Sequence, residues 1–156
     1  MSALRSCREP AAGLAAPWLE RLDAVVARLE AIARAGPRPG FTDPDPGCVE
    51  RWDDTQVWAH LGEFVGYWVD QLLLVTGAAT VGVRELAPFG RTKSDVARRA
   101  AVAAARREEI DGYLGTMTRS CDRLRLVLAR LDGTAWSAEG LHPTLGAMGV
   151  PAILDR

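Results

Sequence analysis

Histidine and lysine are scarce in this chain of 156 residues: His60 and His142 are the two imidazoles, and Lys93 is the one lysine among nineteen basic residues. Any Ser-His-Asp, Cys-His or multi-histidine metal arrangement must therefore use His60 or His142. Cysteine is sparse too. Cys7, Cys48 and Cys121 are an odd number at wide spacing with no C-x-x-C pair, which argues against a disulfide framework or a zinc knuckle and suits a reducing cytosol. There is no H-E-x-x-H and no glycine-rich phosphate loop of recognised spacing, so neither a zinc-protease helix nor a P-loop is expected. Long apolar runs are missing. The longest nearly uncharged stretch, Gln71 to Gly82, falls short of the roughly 20 residues a bilayer needs, and Met1 to Pro10 carries Arg5, Arg8 and Glu9 in place of a secretory core. Neither sign of charge dominates: nineteen Lys plus Arg face twenty Asp plus Glu, a net charge of −1, which argues against nucleic acid or an anionic membrane as partner. With 48% apolar and 25% charged residues, the expectation is one cytoplasmic domain over residues 1–156.

What the chain does contain is helical periodicity. After Pro17, favoured at a first helical position, Trp18, Leu22, Val25, Leu29 and Ile32 recur at steps of three and four until Gly36-Pro37. The proline-rich stretch 36–48 predicts a long loop. Trp52 to Gly77 predicts the strongest helix, with Asp53 and Gln56 placed as a capping box and Val57, Leu61, Phe64, Trp68, Leu72 and Val75 on one stripe. A third helical region is expected from Ser94 to Leu131, its second half carrying a heptad-like stripe through Met117, Cys121, Leu124 and Leu128, with Gly133 as the stop. A loop with a short turn near Val83 to Ala87 precedes it, and a loop rich in glycine follows it. Pro151 to Arg156 reads as the first turn of a further helix. No run shows strand periodicity, so the expected fold is all-α: three substantial helices and the start of a fourth in an up-down bundle.

Of the candidate chemical groups, His60 is the best placed, on the edge of the second helix's apolar stripe with Glu63, Phe64, Tyr67 and Gln71 following on the same flank. It suits a metal ligand or a boundary histidine bonded to backbone. His142 reads as a solvated loop histidine. Asp53, Asp54, Glu63 and Asp70 surround His60 in sequence, most simply on a solvated face. Cys48 lacks a local cation to activate it, Cys121 reads as a buried apolar residue, and Arg98, Arg99, Arg106 and Arg107 with Glu108 and Glu109 read as a mixed-charge face.

The run WDDTQVWAHLGEFVGYWVDQLL resembles the second-helix signature of the DinB-like superfamily, which includes the metal-binding domain of mycothiol-dependent maleylpyruvate isomerase, and L-H-P-T-L-G with the residues after it resembles the approach to that family's last helix. The resemblance implies a four-helix bundle whose metal, Zn or Ni, is held by His60 and an H-x-x-x-H pair on the last helix, and which activates a low-molecular-weight thiol toward an electrophile in a transferase or isomerase reaction. This sequence stops where that helix begins, so the same resemblance implies an incomplete domain, a weakly held metal and little activity, with His142 no substitute ligand. The alternative is a non-catalytic helical module that dimerises or binds a partner helix through an exposed apolar groove.

Overall fold

The computed structural model describes residues 12–44, 49–83 and 85–156. Cys7, Cys48 and the N-terminal lead lie outside the described residues. In chain order come α1 (Ala12–Arg34), α2 (Asp54–Thr80), β1 (Ala87–Pro88), α3 (Val96–Ala103), a single 3-10 turn (Arg107–Glu109), α4 (Ile110–Leu128), α5 (Gly133–Trp136), β2 (Glu139–His142), β3 (Gly146–Gly149) and α6 (Val150–Leu154).

The expected all-α architecture is corrected by a small mixed sheet of order β1-β2-β3, parallel between β1 and β2 and antiparallel between β2 and β3. The physical reason it escapes sequence reading lies in β2. Its burial alternates with period two, but Gly140 and His142 point inward while Glu139 and Leu141 point out, Leu141 being 48% exposed. An apolar residue outside and a histidine inside invert the alternation that marks a strand. The turn expected near Val83 to Ala87 gives way to the two residues of β1, and Gly133, expected to stop a helix, begins α5 under the Asp132 side chain.

The helices follow their stripes, with shifted ends. α1 starts at Ala12, so Pro17 lies inside it; the bond it forgoes is to the carbonyl of Gly13, in the exposed first turn where water can replace it. The third helical region is two helices, broken at Ala104 to Arg106 before the 3-10 turn. α2 begins with the capping box its sequence announces. The Asp53 carboxylate accepts from the Gln56 backbone N–H at 2.8 Å, and the Gln56 side chain accepts from the Asp53 N–H at 3.1 Å. Asp53→Ala is expected to cost about 1 kcal/mol, lowering the melting temperature by roughly 2–4 °C; an unchanged melt would show the cap to be irrelevant.

α2 and α4 pack closely along most of their length. The approach needs a glycine: a Cβ on Gly62 would lie 3.2 Å from the Tyr113 carbonyl oxygen and 3.3 Å from its Cα. The larger core joins Leu72 and Val75 of α2 to Leu128, Trp136, Val150 and Ile153, and a smaller one joins Val26 of α1 to Met117 and Cys121 of α4. Cys121 is 3% exposed, the small buried residue its place on the stripe predicts.

Candidate functional site

α1 and α2 both lean on α4, and they share a core at one end, where Ala15 is buried in one cluster with Leu72 and Val75. An apolar groove of about 310 Å³ runs between the two helices. Its walls include Leu22, Val25 and Leu29 from α1 and Leu61, Phe64 and Trp68 from α2, its floor Met117, Cys121 and Leu124 from α4, and Ile153 and Leu154 of α6 close one end. At that end Arg21 forms an ion pair with Asp155, and the Arg156 guanidinium stands 5.9 Å from the centre of a Trp68 ring.

Beside the groove, side chains at four-residue steps on α2 continue Trp52 into a row of rings. Trp52 meets His60 at 4.8 Å between ring centres, His60 meets Phe64 at 5.0 Å, Phe64 meets Trp68 at 5.9 Å, and Trp68 stacks on His142 at 6.2 Å with 10° between planes. His60 is half-buried in this row, its Nδ1 enclosed without a hydrogen-bond partner among the described residues. Burial first, then the Arg98 cation and to a smaller degree Arg91, lower its pKa to about 4 against the opposing effects of Glu63 and Glu50. The imidazole is neutral at pH 7.

Neutral imidazole is the form that binds metals, yet the surrounding carboxylates are otherwise employed. Glu63 is paired in a fork with Arg91, Asp53 caps α2, Asp54 faces Arg38 at 3.7 Å and Asp70 faces Arg123 at 2.6 Å. Among the described residues no three of His, Cys, Asp and Glu come together, so these residues alone do not fit the three-ligand Zn or Ni site that the resemblance implied around His60.

What the flank of α2 does instead is hold the segment after β1. Arg91, its pKa raised by Glu63 and Asp95 against the opposing effect of burial, lies over the Tyr67 ring at 4.0 Å, and the Gln71 side chain accepts from the Gly90 N–H at 2.7 Å. The four-residue steps Glu63, Tyr67 and Gln71 signal such a flank; that its partner is Arg91 has no signal in the spacing. His142 is corrected from a solvated loop residue to a buried one, 4% exposed. Its Nδ1 accepts from the backbone N–H groups of Thr144 and Leu145, both at 3.3 Å. Its pKa is lowered by burial and then by Arg156, against a smaller opposing effect from the Arg91 backbone.

The family model that matches this chain is the CAP N-terminal conserved motif, over residues 19–50. That is about a fifth of the sequence, most of α1 and the loop after it, and it is a different family from the DinB-like one. The resemblance to the DinB-like superfamily is corrected accordingly, and the mycothiol and maleylpyruvate isomerase chemistry attached to it has no support from the match. No curated protein and no solved structure matches the chain. Among the described residues no helix is long and apolar enough to cross a membrane.

Proposed function

We propose that this chain is a non-catalytic binding module that takes a partner helix in the groove between α1 and α2. The observation that carries the reading is the apolar groove itself: α1 and α2 both pack on α4 and leave between them a trough lined by apolar side chains of all three helices. A helix laid there would cover Val25, 44% exposed, together with half-buried Leu22, Leu29, Phe64 and Trp68. Contiguous apolar surface of this kind marks binding sites in soluble proteins, and an apolar helix face in a groove is a recurring recognition mode.

The test is titration with an amphipathic peptide of about 20 residues bearing leucines at helical spacing, followed by tryptophan fluorescence, since Trp18 and Trp68 line the groove. Binding is expected, and Val25→Glu is expected to weaken it at least tenfold with an unchanged urea midpoint, because Val25 is exposed in the free protein. Light scattering on the eluting protein decides the occupant. A monomer that binds neither peptide nor an apolar dye overturns the reading, and a stable dimer abolished by Val25→Glu replaces the partner helix by a second copy.

A further inference from the structure

Resting on that reading, we infer that the partner helix is acidic along the edge it turns toward α1. α1 is electrically sided. Arg21, which lines the groove, and Arg28 are seven residues apart, which at 100° per residue puts them about 20° from one another on the same flank of α1. The acids of α1 face elsewhere: Glu20, Asp23 and Glu30 stand roughly 80° or more round the helix from that flank, and Asp23 is engaged by Arg125 of α4 at 2.7 Å. Across the groove, the flank of α2 offers His60, Tyr67 and Gln71, and the cations behind them are already paired, Arg91 with Glu63 and Asp95 and Arg98 with Glu50. Arg156 adds a cation at the end closed by α6. The α1 edge of the groove therefore carries cations with no acid of α1 beside them, and Asp155 of the α6 end is the acid that meets them.

Asp155 shows what such a rim selects. It lies at the end of α6, the short helix that enters the groove, and it pairs with Arg21. Arg28 is exposed two turns further along α1 and forms no ion pair among the described residues. A partner helix with its apolar face against Leu22, Val25 and Leu29 brings its edge residues to this row. Glutamates spaced by seven would meet it over about 10 Å, and lysines there would meet repulsion.

Three peptides with one apolar stripe and Glu, Gln or Lys at two edge positions seven apart test this against the full chain. The Glu peptide is expected to bind tightest and the Lys peptide weakest, with a spread of about tenfold at low salt that shrinks toward 1 M salt, each rim pair contributing a few-fold. Arg28→Glu, which leaves the urea midpoint in place, is expected to narrow or invert the order. Equal affinities for all three peptides, or a preference for Lys, overturn the acidic partner while leaving the groove reading standing. Failure of all three to bind overturns the groove reading itself.

Discussion

Replacing Gly90 by alanine is expected to destabilise the protein by about 3 kcal/mol and to loosen the β2–β3 hairpin from α2. Gly90 has φ +80°, where an L side chain is strained, and its Cβ would lie 2.2 Å from the His142 Cδ2 and 2.7 Å from its Nε2. The ring cannot swing aside cheaply. It is stacked on Trp68 and edge-on to Phe89 at 5.6 Å, and its Nδ1 is the acceptor for two backbone N–H groups of the turn. Left-handed strain of roughly 1–2 kcal/mol and overpacking of similar size therefore add. Urea unfolding would show a lower midpoint with the slope unchanged. His142→Ala in the same chain separates the two causes: it removes the clash and leaves the strain, so the double variant is expected to lose less than the two single losses combined. Strict additivity, or a Gly90→Ala midpoint equal to the parent's, would sink this account of the hairpin.

The same residues explain what could be read from the sequence. Stripes of large apolar residues, the Asp53 and Gln56 box and the buried Cys121 are local or periodic signals, and they mark the three long helices and the side of α4 that packs inward. The sheet carries no such signal, because its inward positions on β2 are a glycine shaped to Phe89 and Val75 and a histidine whose hydrogen-bond partners lie two and three residues on. His60 stands half-buried at the edge of the α2 core, where its place beside the apolar stripe puts it. The carboxylates beside it in sequence point round the helix to other duties, and only tertiary structure shows that Glu63 belongs to Arg91. The groove was legible in part. Apolar stripes on three helices imply shared burial, but that α1 and α2 both pack on α4, and leave a trough between them, is a packing result that no single helix encodes.

Acidification from pH 7.5 to pH 5 is expected to weaken folding through both histidines. His60 titrates at about 4 in the folded chain and near 6.5 in the unfolded one. Over the interval between those values the unfolded chain holds a proton that the folded chain refuses, so stability is complete above about 6.5 and falls as the pH drops toward 4. Partial exposure of His60 discounts the effect to about 1 kcal/mol over this window. His142 acts in the same direction, its pKa being lowered by burial and by Arg156. Protonation would also turn its Nδ1 from acceptor to donor, facing the N–H groups of Thr144 and Leu145. Urea midpoints at the two pH values read the loss. His60→Phe preserves a ring between Trp52 and Phe64 and is expected to remove a large part of the pH dependence, with His142→Phe in the same chain removing most of the rest. An equal drop in the double variant would assign the acid sensitivity to other groups. A parent protein that gains stability on acidification would mean that His60 sits beside an anion strong enough to hold it charged, the opposite of a neutral imidazole enclosed by Trp52 and Phe64 with Arg98 nearby.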